Sequence, residues 1–240
     1  PGWTAALKRA GRRVIALIED HCRRADELRT RELEARFAPL PAADALVTGA
    51  AGFLGRALVT RLLAEGRSVR VLVRRAPAWL AELPGVGVLV GDLGEPRIVD
   101  HAVNGVRRVF HVGAAMKGGP GDFEAGTVWG TRNVVESCLR HGIERLVYVS
   151  SMSVLDAAGR DPVRPVTEES PRGAYTQTKL AAERELLEAV REKGLKAVIL
   201  RPGQIFGPGA ERGTPNATVG IAGRWVAVGS ANQTLPLVYL

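Results

Sequence analysis

Two separated groups of residues in this sequence have types and spacing that suit chemistry. The first is a glycine-spaced segment in which Gly49, Gly52 and Gly55 recur at every third position. The second is a tyrosine followed four residues later by a lysine, Tyr175 and Lys179. A glycine-lined turn can bring backbone N–H groups to a phosphate, and a phenol beside an amine can move a proton. Together they favour redox chemistry with a dinucleotide.

The glycines lie between an apolar run and a helical pattern. Residues 45–48 suit a buried parallel strand, and the apolar residues of 56–63 recur at helical spacing. In such a unit Gly49 permits the sharp turn, Gly52 lets the main chain approach a phosphate, and Gly55 lets the helix pack closely. The helix N-terminus then favours a pyrophosphate, and the alternative is a glycine-rich turn without a ligand.

The next two strands end in residues that could bind the rest of a dinucleotide. Arg74 and Arg75 follow a strand predicted over residues 68–73, at the position where a carboxylate would bind the ribose of NAD. Arginine there suits the 2′-phosphate of NADP, and two solvated arginines are the alternative. A third strand over residues 86–90 leads into Asp92, which could accept from adenine or cap a helix.

Three further strands continue the pattern, the last of them predicted over residues 196–200. Residues 108–115 are predicted as the fourth strand, whose small residues at its end would let the backbone lie against the cofactor. We expect His111 to be a packed strand residue and not a catalyst or a ligand. The fifth strand, over residues 145–149, ends on Ser150 and Ser151.

The order of these segments resembles the extended short-chain dehydrogenase/reductase superfamily, in particular its NAD(P)-dependent epimerase/dehydratase and 3-beta-hydroxysteroid dehydrogenase-like branches. The resemblance runs from about residue 43 to residue 240. It is carried by TGAAGFLG (48–55), GDL (91–93), FHVGA (110–114), GTRN (130–133), VSS (149–151), YTQTK (175–179) and LRPGQIFGPG (200–209). It implies an α/β fold: a Rossmann-type doubly wound parallel sheet with helices on both faces, followed by a small substrate lobe.

The pattern and the resemblance together predict the site residues. The expected cofactor-binding residues are Gly49, Gly52, Phe53, Leu54, Gly55, Arg74, Arg75, Asp92, Leu93, Gly113, Ala114, Tyr175, Lys179 and Pro202. The family places a catalytic Ser or Thr just beyond strand five, which selects Ser151, with Ser150 and Ser153 as alternatives. Residues 155–156 depart from the Tyr-Gly that family members often have, and Thr127 stands where they commonly have Asn. No metal site is expected.

The spacing of Tyr175 and Lys179 places them on one face of a helix. The pKa of a tyrosine is ordinarily about 10, and both a neighbouring ammonium and an oxidised nicotinamide are expected to lower it. The phenol could then exchange a proton with a carbonyl or alcohol oxygen, to which Ser151 would also hydrogen-bond. Lys179 would in addition hold the nicotinamide ribose. A helix-start aromatic and a surface cation are the alternative reading of the pair.

We therefore expect an NAD(P)-dependent oxidoreductase or epimerase, with NADP preferred over NAD. It would transfer hydride at a secondary alcohol or ketone of a nucleotide sugar or related carbohydrate. The alternative is a non-catalytic NADP(H)-binding module that senses redox state. Dehydration is the least favoured reaction, because Met152 and Ser153 place no acidic residue beside the catalytic Ser.

The composition fits a globular domain and argues against several other classes. The 240 residues are 46% hydrophobic and 24% charged, and they include no apolar run of the roughly 18 residues that a membrane helix needs. The two cysteines, Cys22 and Cys138, form neither a disulfide framework nor a metal motif, so we expect a reducing cytoplasm. The net charge of +8 is spread without a dense basic run, and aromatics make up 5%, which disfavours nucleic acid as a partner.

Two domains are predicted. Residues 1–41 form an amphipathic helix or helix pair and a linker that ends at Pro39 and Pro41. They are either the end of an upstream fused domain, for instance a sugar-type dehydrogenase of the glucose–fructose oxidoreductase kind, or a family-specific helix packed on the sheet. Residues 42–240 form the cofactor domain and the start of the substrate lobe. Since the first residue is Pro1 and the sequence stops at Leu240, we expect a fragment. Homodimerisation through helices near residues 123–141 and 174–193 is expected from the family.

Overall fold

The computed structural model describes residues 34–116, 118–155, 173–210, 218–221, 224–227 and 237–240, together with scattered positions between 20 and 32. The chain divides into two compact units, Pro1–Leu40 and Pro41–Leu240. In the first unit, the described positions between residues 20 and 36 are helical. The greater part of the predicted N-terminal helix lies outside the described residues.

The second unit is built on a parallel sheet of six strands. They are β1 (Ala43–Thr48), β2 (Val69–Val73), β3 (Val86–Val90), β4 (Val106–His111), β5 (Arg145–Val149) and β6 (Ala197–Leu200). Their order across the sheet is β3-β2-β1-β4-β5-β6, and every neighbouring pair is parallel. The chain direction across the sheet reverses between β1 and β4, which opens a crevice at their carboxyl ends. The predicted Rossmann-type doubly wound sheet is confirmed.

Helices connect these strands and cover the sheet. They are α1 (Phe53–Ala64), α2 (Ala78–Ala81), α3 (Pro96–Val103), α4 (Pro120–Phe123), α5 (Gly130–His141) and α6 (Ala174–Lys193). A π-helix, Glu124–Trp129, leads from α4 into α5, and a 3-10 turn, Met152–Val154, follows β5. Helix α1 packs on β1 and β2, while α3 packs on β2 and against α5.

The described positions beyond β6 form two small pairs of strands. Strand β7 (Gln204–Phe206) pairs in parallel with β10 (Leu237–Tyr239), and β8 (Thr218–Ile221) forms an antiparallel hairpin with β9 (Arg224–Ala227). The rest of the predicted substrate lobe, and the loop at residues 156–172, lie outside the described residues.

Valine-rich sequence explains the core around the first two strands. All five residues of β2 are buried, as expected for a strand that is covered on both faces. On one side of the sheet, Val47 and Val71 pack with Val59 and Leu62 of α1 in a single apolar cluster. This packing fixes α1 against the strand that precedes it, so the α1 N-terminus lies at the carboxyl edge of the sheet.

The fourth strand is shorter than predicted. It ends at His111 and not at residue 115, because His111 pairs with Thr48, the last residue of β1. Beyond Thr48 the chain turns at Gly49, so residues 112–115 have no partner strand on that side. The π-helix was not predicted either, since nothing in the apolar spacing of residues 124–129 distinguishes it from the α-helix that follows.

Arg70 is a buried cation within β2. It is 2% exposed, and its guanidinium donates to the carbonyls of Ala102 and Asn104 at the end of α3, each at 2.6 Å. It also donates to the carbonyl of Pro41, at 2.6 Å. The last carbonyls of a helix have no partner within the helix, and here Arg70 supplies one. Burial lowers the pKa of the guanidinium. The side chain joins the end of α3 and the entry to β1 to strand β2.

We predict that Arg70→Met destabilises the protein by about 2–4 kcal/mol, because the variant leaves buried carbonyls without a donor. Urea denaturation at neutral pH measures this change. The matched control is Arg61→Met on the surface of α1, where the guanidinium pairs with Glu65 and the side chain is 77% exposed. The control is expected to cost less than about 1 kcal/mol. Equal losses in the two variants would contradict the role given to Arg70.

Candidate active site

Close backbone contacts require glycine at the turn between β1 and α1. Gly49 has a φ of +69°, and a Cβ on it would lie 2.6 Å from the backbone nitrogen and the Cα of Gly113. A Cβ on Gly55 would lie 2.2 Å from the carbonyl oxygen of Gly49. A side chain at either position would therefore displace the turn. Phe53 and Leu54 are half-buried on the first turn of α1.

Gly52, the N-cap residue of α1, is not required by such contacts. Its φ of −84° suits any residue, and a Cβ would meet only the carbonyl oxygen of Gly49, at 3.3 Å. The first N–H groups of a helix have no acceptor within the helix, and Gly52 has no side-chain oxygen to offer them. These donors and the positive end of the helix dipole suit a pyrophosphate. The turn thus fits the dinucleotide expected from the sequence.

Three buried polar side chains, those of Thr48, His111 and Thr131, form a series of close polar contacts next to the turn. Thr48 Oγ1 accepts from the backbone N–H of Gly113 at 3.2 Å and lies 2.7 Å from His111 Nδ1. His111 Nε2 lies 3.0 Å from Thr131 Oγ1. The imidazole is fully buried, and burial, with a smaller effect of Lys179, lowers its pKa to about 3. A neutral, doubly hydrogen-bonded imidazole agrees with the prediction that His111 packs within the strand.

The residues after β3 lie against the residues after β4. The carbonyl of Leu93 accepts from the side-chain amide of Asn133 at 2.7 Å, and a Cβ on Gly113 would lie 2.9 Å from Leu93 Cδ1. Asp92 Oδ1 accepts from the N–H of Gly94 at 2.8 Å. Helix α3 begins several residues later with Glu95 as its N-cap, so Asp92 does not cap that helix. The structure therefore brings Leu93 and Gly113 together at the same edge of the sheet.

Two arginines follow β2 at this edge. Arg74 and Arg75 are exposed, and neither has a hydrogen bond or an ion pair within the described residues. The guanidinium of Arg56, on the first turn of α1, lies over the ring of Trp79 at 5.0 Å from its centroid. Trp79 stands in α2, four residues beyond Arg75. Three cations from two elements are therefore present where the adenosine end of a dinucleotide would lie.

The structure brings Ser151 and Tyr175 into contact. Ser151 follows β5, and its Oγ accepts from the N–H of Ser153 at 3.2 Å. Tyr175 lies on the first turn of α6, close enough to Ser151 that the serine hydroxyl acts to lower the pKa of the phenol. Of the three serines considered from the sequence, Ser151 is the one that meets the phenol. The side-chain oxygens of Ser150 and Ser153 are buried and have no hydrogen-bond partner among the described residues.

Lys179 lies one turn further along α6 and is 2% exposed. Its Nζ donates to the carbonyl of Val149 at 2.7 Å and lies 4.8 Å from the centroid of the Tyr148 ring. Burial lowers the pKa of the ammonium to about 8, and the nearby carboxylate of Glu183 opposes this shift. Lys179 is therefore a buried cation that can lose its proton close to neutral pH.

The expected lowering of the Tyr175 pKa by Lys179 is not found. Burial raises the pKa of Tyr175, and the nearby hydroxyl of Ser151 opposes the rise. The ammonium of Lys179 donates to the Val149 carbonyl and lies over the Tyr148 ring, and it is not among the groups that shift the pKa of Tyr175. The sequence correctly placed both groups on one helix face but could not show where the long lysine side chain ends.

The segment after β6 lies against the segment after β5. The carbonyl of Pro202 accepts from the N–H of Met152 at 2.9 Å. Pro202 therefore contacts the residue that follows Ser151 in the chain. The Oγ of Thr127, the residue that departs from the family pattern, accepts from the N–H of Ala115 at 3.1 Å.

Sequence reasoning missed a buried ion pair beside Lys179. Glu183 is 1% exposed, and both of its carboxylate oxygens accept from Arg201, at 2.9 and 2.7 Å. The available signal was the spacing, since Tyr175, Lys179 and Glu183 recur at four-residue intervals. The sequence alone could not have paired Arg201 with Glu183, because Arg201 follows β6 whereas Glu183 lies on α6.

Comparison with known proteins decides the family. The sequence pattern of the NAD dependent epimerase/dehydratase family matches residues 45–236. The chain belongs to this family. The resemblance to extended short-chain dehydrogenases is confirmed. The curated proteins that are similar to this chain include a reductase and a dehydrogenase.

Two curated relatives cover much of the chain. It is 38% identical over 203 residues to a 2-alkyl-3-oxoalkanoate reductase of Stenotrophomonas maltophilia, covering 81% of this chain and 61% of the relative. It is 37% identical over 177 residues to a 3 beta-hydroxysteroid dehydrogenase/Delta 5-->4-isomerase of Mycobacterium tuberculosis, covering 68% of this chain and 47% of the relative. The chain thus spans about half the length of the curated relatives it matches.

A solved structure is also similar to this chain. MoeE5, in complex with UDP-glucose and NAD, is 33% identical, with a TM-score of 0.58 over 70% of this chain and 57% of that chain. NAD is therefore bound by a structural neighbour of this chain. Within the described residues, no helix is long and apolar enough to span a membrane.

We predict that buried His111 makes stability fall in acid. Its pKa is about 3 in the folded chain and about 6.5 when unfolded, so the unfolded state binds the proton more readily. The contribution is fully present above about pH 6.5 and is lost, at up to about 1.4 kcal/mol per pH unit, as the pH falls towards 3.

Urea denaturation between pH 4 and pH 7 tests this. His111→Gln, which keeps a donor and an acceptor but has no such titration, is expected to show a flatter pH dependence than the wild type. His21→Gln, at an exposed position, serves as the control. An unchanged slope in His111→Gln would show that other groups cause the acid sensitivity.

Proposed function

We propose that this chain forms the coenzyme-binding part of an NAD(P)-dependent oxidoreductase or epimerase acting on a secondary alcohol or ketone. The observation that carries the proposal is the proximity of the Ser151 hydroxyl to the Tyr175 phenol, whose pKa it lowers, with the buried Lys179 one turn away on the same helix. These groups lie at the carboxyl ends of β5 and β6, at the same edge of the sheet as the glycine turn. A reacting oxygen could therefore meet the phenol while the coenzyme lies across that edge.

The bound coenzyme would supply or accept the hydride. Tyr175 would donate its phenolic proton to the substrate oxygen in reduction and remove it in oxidation. Burial raises the pKa of Tyr175, which keeps the phenol protonated as a donor at neutral pH. Ser151 would hydrogen-bond the same oxygen and stabilise the charge that develops there. Lys179 would hold the nicotinamide ribose, and Gly49, Gly52 and Gly55 would let the backbone meet the pyrophosphate.

The substrate is proposed as a nucleotide sugar or a related carbohydrate, supported by the UDP-glucose in the MoeE5 structure. The curated relatives favour a second candidate, a ketone or alcohol on an acyl chain or a steroid, since they are named for such compounds and have higher identity. Both classes present a secondary alcohol or a ketone. A panel of UDP-glucose, a 2-alkyl-3-oxoalkanoate and a 3β-hydroxysteroid, with the full-length protein, distinguishes them.

A non-catalytic redox-sensing module is the alternative function. Tight NADPH binding by the full-length protein, without hydride exchange with any member of that panel, would favour it. The homodimer, the upstream domain and the cytoplasmic location expected from the sequence stay predictions.

We predict that Tyr175→Phe lowers kcat by about 10²–10⁴-fold, because the variant removes the proton donor and keeps the ring. Coenzyme affinity, measured by fluorescence titration with NADPH, is expected to stay within about two-fold. Ser151→Ala is expected to lower kcat as well. The control is Ser150→Ala, whose buried hydroxyl has no partner among the described residues. Full turnover in Tyr175→Phe would remove this residue from the mechanism.

We predict that the chain binds NADP(H) more tightly than NAD(H). The reason is that Arg74 and Arg75 are exposed and unpaired within the described residues, so they are available to a 2′-phosphate. The double variant Arg74→Gln/Arg75→Gln is expected to lose about 10–100-fold in NADPH affinity with little change for NADH. Arg67→Gln, an exposed position at the opposite end of β2, is the matched control. Equal losses for both coenzymes would show that the arginines do not read the 2′-phosphate.

A further inference from the structure

The buried cluster around Lys179 contains an ion pair that the proposed chemistry does not use. Glu183 follows Lys179 by four residues on α6, the spacing at which a lysine and a glutamate ordinarily pair. The carboxylate instead accepts from Arg201, Nε to Oε1 at 2.9 Å and Nη2 to Oε2 at 2.7 Å. Nothing about the spacing on α6 explains this choice of partner.

The geometry of the arginine explains why it holds the carboxylate. A planar guanidinium can donate two parallel hydrogen bonds to a carboxylate, whereas an ammonium is a point charge on a flexible stem. Arg201 directly follows β6 and reaches α6 with its side chain 25% exposed, while the Glu183 side chain is 2% exposed. Since Glu183 is engaged in this way, Lys179 Nζ donates to the Val149 carbonyl at 2.7 Å.

We propose that Arg201 is a positioning residue for Lys179: by binding the Glu183 carboxylate, it keeps the lysine ammonium on the Val149 carbonyl at the proposed site. Without Arg201, the buried carboxylate would take Lys179 as its partner, one turn further from Tyr175 along the helix. The lysine would then be withdrawn from the position in which it can meet a coenzyme ribose. The inference rests on the proposed function for its catalytic consequence but not for the placement of the groups.

The charges that face Lys179 come from several elements. His111 faces it from β4 and is neutral, Tyr148 presents its ring from β5, and Tyr175 and Glu183 share α6 with it. Among the described residues, Glu183 is the charged group that raises the pKa of Lys179, while burial lowers it to about 8. Arg201 acts on the lysine through Glu183.

Two single variants should therefore shift the pKa of Lys179 in opposite directions. Arg201→Met leaves the carboxylate to pair with Lys179, which favours the ammonium and raises the pKa by about one unit or more. Glu183→Gln removes the carboxylate and lowers the pKa. Arg201→Lys keeps a cation beside Glu183 and is expected to return the value towards that of the wild type. Loss of the Arg201 charge by itself also raises the pKa, so the size of the rise in Arg201→Met and its reversal in Arg201→Lys carry the test.

The titration is followed by NMR of lysine 13Cε in the full-length protein without coenzyme or substrate. Loss of one signal in Lys179→Arg assigns the resonance of Lys179. The matched control is Glu185→Gln, two residues along the same helix, whose carboxylate pairs with Arg132 on the exposed side. No shift of the Lys179 signal is expected in the control. Thermal unfolding of each variant verifies that it is folded.

The kinetic counterpart is the pH profile of kcat/KM. Its alkaline limb is expected to move to higher pH in Arg201→Met and to lower pH in Glu183→Gln, with about a ten-fold loss at pH 7 in Arg201→Met. If Arg201→Met does not fold, Arg201→Gln takes its place, and the same upward shift of the Lys179 pKa is expected. An unmoved Lys179 pKa in either folded variant, or shifts of the same sign in both, overturns the proposal.

Failure of this inference differs from failure of the proposed function. The lysine titration needs no turnover, so an inactive protein can still show the opposite shifts and support the placement. Opposite shifts in an active protein with an unmoved kinetic profile would overturn the role in positioning. Activity retained in Tyr175→Phe would instead overturn the proposed mechanism, whatever Lys179 does.

Discussion

The approach of two backbones at the ends of β1 and β4 is the constraint on which the rest of the site depends. Gly49 and Gly113 lie so close that a Cβ on Gly49 would be 2.6 Å from two backbone atoms. Hydrophobic packing of α1 on β1 and β2 holds the helix N-terminus at this point. The hydrogen bond from Gly113 N–H to Thr48 Oγ1 holds the segment after β4 against the end of β1. A bulky residue at position 49 would therefore push the ends of β1 and β4 apart. It would also move the N-terminus of α1, and with it the positive end of the helix dipole.

Several polar side chains near this approach of the two backbones are buried. Leaving them without hydrogen-bond partners would lower the stability of the fold. His111 is fully buried between two threonines, which fix both ring nitrogens without an ionic partner. Lys179 and Glu183 are also buried, and each has a hydrogen-bond partner that comes from another element of the fold. A protein gains little stability from buried charges, since desolvation offsets their attraction. Their retention is better explained by the need to hold an amine in one position.

The two ends of the crevice differ in how strongly they are ordered by contacts within the chain. At the Tyr175 end, Ser151 accepts from the N–H of Ser153 and Lys179 donates to the carbonyl of Val149. At the opposite end, Arg74 and Arg75 are exposed and without partners in the described residues. The first arrangement suits chemistry that needs fixed geometry, and the second suits recognition of a charged group that arrives from solvent.

The sequence by itself determined the parts that rest on local pattern. Short apolar runs predicted the strands, glycine spacing predicted the turn, and a four-residue interval placed Tyr175 and Lys179 on one helix face. Strand order followed from the family resemblance. Only the tertiary structure decided where the long side chains end: Lys179 on the Val149 carbonyl, Glu183 on Arg201, and Arg70 on the end of α3. These partners lie far apart in the sequence, and burial, which no local pattern specifies, sets the pKa values of Tyr175 and Lys179.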